Sequence, residues 1–218
     1  MRRALRSAVL GFVLVGLAFV APASAAGLKD ALAKVQGRYE ATKTMEADFK
    51  QTVESPTLAT PLKTSGKVAF EKPNHMRWDY DAPDKQTIVG DGQSLWLFQP
   101  DMNQVIKAPL GEAFQASTPL TFLSGLGNLE RDFDASLEKE TSDAWLLKLV
   151  PKKDAGLGVL GLTVRKSDAA IAEAKITDAA GTTTRIAFSN EKRNGKIEAS
   201  RFTFTPPPGV DVVKPPTY

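Results

Sequence analysis

Few side chains in this sequence have the type and spacing that catalysis requires. The chain contains one histidine, His75, beside a proline-containing turn, and it contains no cysteine. Ser94 follows Asp91-Gly92-Gln93, but the surrounding residues do not form a nucleophile elbow. The lack of cysteine also excludes disulfides, thiolate catalysis and thiolate metal sites. We therefore predict that the protein is not an enzyme.

Metal and nucleotide sites are not predicted either. Asp79, Asp81 and Asp84 are close in sequence, but they lack the spacing of a calcium-binding loop. The sequence contains no glycine-rich phosphate loop. We expect no metal and no cofactor.

The N-terminal residues 1–25 have the composition of a secretory signal peptide. Three arginines within residues 1–6 precede an apolar stretch over residues 8–21, and a small-x-small motif ends at Ala25. The apolar stretch is too short for a comfortable membrane span of about 20 residues. We expect cleavage after Ala25, a single domain over residues 26–218, and a soluble protein in the periplasm.

The charge balance argues against nucleic-acid binding. The net charge of +3 comes from 28 basic and 25 acidic residues. Arg2, Arg3 and Arg6 all lie in the predicted signal peptide, which contains no acidic residue, so the mature chain is neutral. A neutral chain has no electrostatic basis for binding nucleic acid.

The stretch from Gly66 to Pro100 organises the predicted fold. Apolar residues alternate there in short runs, which predicts strands with one buried face. Asp91-Gly92 lies between two such runs and predicts a tight hairpin, so we predict an antiparallel meander of four strands. Leu28 to Thr42 has the apolar spacing of an amphipathic helix.

Alternating runs continue through the second half of the chain. Asn194-Gly195 predicts another hairpin, and a last strand is predicted over residues 199–204, before Pro206. An antiparallel sheet of about eleven strands should curl rather than stay flat. We predict a mainly β (α+β) fold, an incomplete, curled antiparallel β-barrel with a helical lid over an apolar cavity.

The predicted lid follows Ser117-Thr118-Pro119, which is a favourable helix start. Gly125 and Gly127 exclude a long rigid helix, so we predict one or two short helical turns. The lid candidates are its large apolar residues: Leu120, Phe122, Leu123 and Leu126.

Apolar residues face both sides of the predicted strands at 95–98 and 145–147. They can form an ordinary closed core or line a cavity. One curled layer of sheet has too much inward apolar surface unless a lid or an apolar ligand covers it, which favours a cavity. The residues predicted to line or support it are Leu32, Met76, Trp78 and Trp96, whereas Arg77 is expected to point the other way.

The meander motifs resemble the outer-membrane lipoprotein carrier family, LolA. They are the Lys72-Pro73-Asn74 turn, the Arg77-Trp78-x-Tyr80 strand and Asp91-Gly92-x-x-Leu95-Trp96. The resemblance implies a periplasmic chaperone that binds the acyl chains of lipoproteins in an apolar cavity. It implies as partners acylated lipoproteins, an inner-membrane ABC-type lipoprotein-releasing complex and an outer-membrane lipoprotein receptor. We expect the carrier to be a monomer.

Lys72 occupies a position where some family members carry an arginine that hydrogen-bonds the lid backbone and holds it shut. Lysine keeps the charge but lacks the planar fork of donors. Two interpretations of Lys72 therefore stay open, a lid latch and a solvated turn lysine. A second function also stays open, a periplasmic lipid-binding sensor or a shuttle for another envelope lipid.

Overall fold

A computed structural model describes residues 23–81, 83, 85–111, 128–153 and 158–215. Most of these residues form strands. The elements are α1 (Ala23–Ala41), β1 (Thr44–Glu54), β2 (Leu62–Glu71), β3 (His75–Tyr80), β4 (Thr87–Asp91), β5 (Ser94–Gln99), β6 (Gln104–Pro109), α2 (Leu129–Asp132), β7 (Phe133–Glu140), β8 (Ala144–Pro151), β9 (Val159–Arg165), β10 (Ile171–Thr177), β11 (Thr183–Arg193) and β12 (Asp211–Val213).

The strands form one 12-stranded sheet that does not close. Its order is β12-β6-β5-β4-β3-β2-β1-β11-β10-β9-β8-β7, so β12 and β7 are its two edges. Neighbouring strands are antiparallel except at one edge, where β12 pairs in parallel with β6. The sheet confirms the predicted incomplete, curled barrel.

The inner face of the sheet carries two apolar clusters. The helix-side cluster joins α1, α2 and strands β7 to β10, and the meander-side cluster joins β1, β2, β3 and β11. Phe188 packs against both of them. Helix α1 contributes Ala31, Leu32 and Val35 to the helix-side cluster, because this spacing places them on one helical face.

Polar contacts attach the C-terminal end of α1 to the sheet. Asn194, just after β11, donates from Nδ2 to the carbonyl of Ala41 at 3.0 Å and accepts from the amide of Lys43 at 2.7 Å. The amide of Asn194 in turn donates to the carbonyl of Thr44. The predicted hairpin at Asn194-Gly195 is wrong, because the next strand after β11 is β12, which pairs with β6. Asn194 instead fixes the position of the helix end.

The predicted hairpin at Asp91-Gly92 is confirmed between β4 and β5. Gly92 has a φ of +91°, which L side chains rarely adopt. Asp91 Oδ1 accepts hydrogen bonds from the amides of Gln93 and Ser94 at 2.9 and 2.7 Å. These bonds fix the register of β5 against β4.

The predicted strand over residues 199–204 is wrong. Ala199–Phe202 forms a 3₁₀ turn, and the segment crosses the outer face of the sheet. Phe202 is buried and packs against the ring of His75, with 5.7 Å between ring centroids. Phe204 packs against Trp96 in the same way. Both aromatics face the same sheet, so their alternation reflects this contact rather than strand pairing.

None of the described helices is long and apolar enough to cross a membrane. Within the same ranges, no group of three or more His, Cys, Asp or Glu is placed to hold a metal ion. Most of the predicted signal peptide lies outside the described residues, as do the lid candidates Leu120, Phe122, Leu123 and Leu126.

Candidate ligand-binding site

An apolar cavity of about 100 Å³ lies between the C-terminal half of α1 and the inner face of the sheet. The helix contributes Val35 and Tyr39, and charged groups of Arg38, Lys72 and Glu191 also border the cavity. The apolar sheet residues that line it come from four strands: Met45, Phe70, Ile171 and Phe188.

The cavity is small for an organic ligand. Pockets that bury drug-sized ligands usually have volumes of about 300–1,000 Å³. A long acyl chain therefore fits only if α1 or the residues around the cavity move. Contacts between α1 and the sheet keep the helix next to the cavity.

Lys72 contacts the last turn of α1. Its Nζ donates a hydrogen bond to the backbone carbonyl of Tyr39 and lies 3.8 Å from the centroid of the Tyr39 ring. Backbone carbonyls at a helix C-terminus attract cations. Burial lowers the pKa of Lys72, and the negative charge of Glu40 opposes this effect. The ammonium is half-buried and contacts the C-terminal end of the helix.

Arg38 forms a second attachment of α1 to the sheet. Its guanidinium donates to Glu191 Oε1 at 2.6 Å and to the carbonyl of Asp168 at 2.9 Å. The Arg38 and Glu191 side chains are only 13% and 15% exposed. Hydrogen bonds from Arg165, the amide of Ala170 and the charge of Arg38 lower the pKa of Asp168 to about 2 against the effect of burial.

Comparison with known proteins identifies the family. The family described as "Outer membrane lipoprotein carrier protein LolA" matches residues 40–205. An outer-membrane lipoprotein carrier protein of Methylibium petroleiphilum is 38% identical over 200 residues, which are 91% of this chain and 97% of that protein. The chain belongs to the LolA family. A Chromobacterium violaceum protein of the same name is 32% identical over 92% of this chain and 96% of its own.

Two solved structures share the fold of this LolA-family chain. An uncharacterized conserved protein from Thermus thermophilus has a TM-score of 0.54 and 15% identity, over 87% of this chain and 99% of that one. MucB has a TM-score of 0.50 and 13% identity, over 83% of this chain and 63% of its own. At these identities the likenesses show the fold alone.

Three predicted cavity residues of this LolA-family chain are buried on the inner face. Leu32 lies in the helix-side cluster, and Met76 and Trp78 lie in the meander-side cluster. They are not among the residues that line the cavity. Trp78 lies behind its wall, with its ring centroid 5.7 Å from that of Phe70 and 6.3 Å from that of Phe188.

Trp96 lies on the outer face, so the prediction that it joins Met76 and Trp78 is wrong. Leu95 is paired with Gly90, and Gly90 is paired with Met76, so Leu95 lies on the inner face with Met76. Successive residues of a strand point to opposite faces, so Trp96 points outward. Trp96 Nε1 donates to Asp91 Oδ2 at 2.7 Å.

Other groups on the outer face surround Trp96 and support its placement there. Lys107 Nζ lies 4.3 Å from the centroid of the Trp96 ring. Burial raises the pKa of Asp91, but hydrogen bonds from Trp96, Ser94 and Gln93 outweigh this effect and lower it overall. Arg77 also lies on this face, as predicted, and pairs with Asp79 at 2.8 Å.

The residues that form the cavity wall were not predicted from the sequence. They belong to α1 and to four strands, β1, β2, β10 and β11, which are separated along the chain. Helical spacing and strand alternation indicate that these residues face inward. Neither pattern shows which inward-facing residues surround a gap. The missed residues are Val35, Tyr39, Met45, Phe70, Ile171 and Phe188.

Proposed function

We propose that this protein is a periplasmic chaperone that binds the acyl chains of lipoproteins and carries them from the inner membrane to an outer-membrane receptor. The observation that carries the proposal is the apolar cavity between α1 and the curled sheet. Family membership supports it, because relatives aligned over 91% and 92% of the chain are named outer-membrane lipoprotein carrier proteins.

The hydrophobic effect provides the driving force for cargo binding. Burying one CH₂ group contributes about 0.8 kcal/mol, so an acyl chain of about sixteen carbons gains on the order of 12 kcal/mol. Opening the cavity and ordering the chain reduce this gain. Moderate net affinity allows a carrier to hold acyl chains in water and still release them.

Closure of the cavity competes with the ligand. A volume of about 100 Å³ cannot hold a long chain, so loading must displace groups that cover the inner face. The contacts of Lys72 with Tyr39 and of Arg38 with Glu191 stabilise the closed arrangement. Lys72 acts as a latch on α1 in this proposal, and the lid candidates Leu120, Phe122, Leu123 and Leu126 cover the remaining apolar surface.

Two partner proteins complete the proposed cycle. The sequence contains no nucleotide-binding motif, so an inner-membrane ABC-type lipoprotein-releasing complex supplies the energy for loading. An outer-membrane lipoprotein receptor accepts the cargo. The carrier reaches the periplasm after removal of residues 1–25 and acts as a monomeric single domain over residues 26–218.

The test is mass spectrometry of the protein purified from periplasm without detergent. Co-purification of an acylated lipoprotein supports the carrier function. Co-purification of a free diacyl lipid supports instead the sensor or lipid-shuttle function. A protein that is empty and also fails to bind a fluorescent fatty acid refutes both, because the cavity would then be an ordinary packing gap.

A further inference from the structure

Trp78 carries a buried hydrogen-bond donor that has no acceptor within the described part of the chain. The residue is 2% exposed and lies on the inner face of β3. An indole N–H donates only, so it needs an acceptor. Buried polar groups without partners are rare in native proteins, and each calls for an explanation.

The surroundings of Trp78 place this donor next to the cavity. Its ring packs edge-to-face against Phe49 and Phe70, at centroid distances of 4.9 and 5.7 Å. Phe70 and Phe188 contact Trp78 and also line the cavity. A ligand that enlarged the cavity by moving these two rings would therefore reach the indole.

The inner face of β1, β2 and β3 carries polar side chains beyond Trp78. Met45 and Phe70 are paired at the cavity end, and Gln51 and Thr64 are paired further along, before the last pair of Val53 and Leu62. Tyr80 Oη, two residues beyond Trp78, donates to Gln51 Oε1 at 3.3 Å. Trp78 thus lies between an apolar and a polar region, which suits a ligand that is apolar at one end only.

Thr64 supports this polarity. Its Oγ1 is buried and has no hydrogen-bond partner among residues 23–81 or in the other described ranges. At the cavity end, by contrast, Lys72 donates to Tyr39 and Arg38 pairs with Glu191. The charged groups at the cavity end are therefore paired, whereas within the described residues the indole N–H of Trp78 is an unsatisfied donor for the polar end of a ligand.

We propose that Trp78 Nε1 donates a hydrogen bond to the carbonyl oxygen of a bound acyl group whose apolar chain occupies the cavity beneath α1. The inference rests on the proposed function, because it requires an acyl ligand. It makes the site selective for acyl esters and amides. A hydrocarbon of the same length fills the cavity but leaves the buried donor unsatisfied.

The test compares two probes, methyl palmitate and an unsubstituted alkane of matched length, in displacement of bound anilinonaphthalenesulfonate. Trp78→Phe keeps an aromatic ring and removes the N–H. It should reduce the affinity for the ester relative to the alkane by about 2- to 12-fold, the range expected for one net hydrogen bond. Loss of ring surface affects both probes alike, so the ratio isolates the hydrogen bond.

Trp96→Phe is the matched control. It makes the same substitution on the outer face, where Nε1 already donates to Asp91. The ester-to-alkane ratio should equal that of the wild type. An unchanged ratio in Trp78→Phe would overturn the inference and leave the carrier function intact. Wild-type protein that binds neither probe would overturn both.

Infrared spectroscopy of the wild type provides a readout that needs no variant. A hydrogen bond lowers the stretching frequency of an ester carbonyl, so bound methyl palmitate with an isotope-labelled carbonyl should absorb below its frequency in alkane solvent. Where Trp78→Phe folds, its complex should absorb at the higher frequency. A wild-type band at the alkane-solvent position would mean that the donor interacts with an aromatic face instead, and would overturn the inference.

Discussion

Removal of the Lys72 contact should increase the affinity of the protein for acyl chains. Lys72→Leu deletes the hydrogen bond to the Tyr39 carbonyl and the cation–π contact with its ring. A hydrogen bond to a charged group contributes about 1.5–3 kcal/mol when buried, and a cation–π contact about 0.5–1 kcal/mol at exposed sites. Lys72 is half-buried, so we take about 2 kcal/mol for the pair of contacts.

In the proposed mechanism, this contact stabilises the closed protein and is lost when α1 moves to admit a ligand. A loss of about 2 kcal/mol from the closed state alone corresponds to roughly 30-fold tighter binding. The assay is titration with a fluorescent fatty acid. The melting temperature of the empty variant should fall, because the same contact attaches α1 to the sheet.

Lys43→Leu is the control. Lys43 also borders the cavity but is exposed, so its substitution removes the same charge without breaking the helix contact. Its affinity should stay within about twofold of the wild type, since exposed charges contribute little. Equal affinities for Lys72→Leu and Lys43→Leu would refute the latch.

Three further predictions concern the lid and the attachment of α1. Leu123→Glu places a charge on the predicted lid and should weaken retention of a fluorescent fatty acid; unchanged retention would refute the lid assignment. Arg38→Ala leaves Glu191 half-buried without its main partner, so urea titration should show a free energy of unfolding lower by about 3 kcal/mol. The double variant Arg38→Ala/Glu191→Ala should lose less stability, because no unpaired charge is then left. The pKa of Asp168 is depressed to about 2, so its stabilising contribution is complete above the ordinary value of 3.8 and is lost as the pH falls through the folded value. Asp168→Asn should therefore show a smaller loss of melting temperature on acidification than the wild type, and parallel curves would contradict this linkage.

Local sequence patterns were sufficient to predict the meander and its hairpins. The alternation from Gly66 to Pro100 corresponds to the end of β2 and to strands β3, β4 and β5. The Asp91-Gly92 hairpin followed from the backbone conformation that glycine permits. These features depend on residues close in sequence, so the sequence alone determined them.

The predicted face of Trp96 and the predicted strand over residues 199–204 are wrong, because a strand pattern does not show what packs on each face. Leu95, Trp96, Leu97 and Phe98 are all apolar, so alternation leaves the inner face undecided until pairing with β4 fixes it. Residues 199–204 alternate because Phe202 and Phe204 pack onto the sheet, although the segment makes no ladder there.

The sequence by itself determined an open antiparallel barrel, apolar on its inner face, and the motifs that identify the family. Tertiary structure alone decided where the cavity lies. Its wall depends on the pairing of β1 with β11, which places Phe49 opposite Phe188, and on α1, which Arg38 and Lys72 hold above these strands. Contacts between residues so far apart in the chain arise from the packing of whole elements, and no local periodicity specifies them.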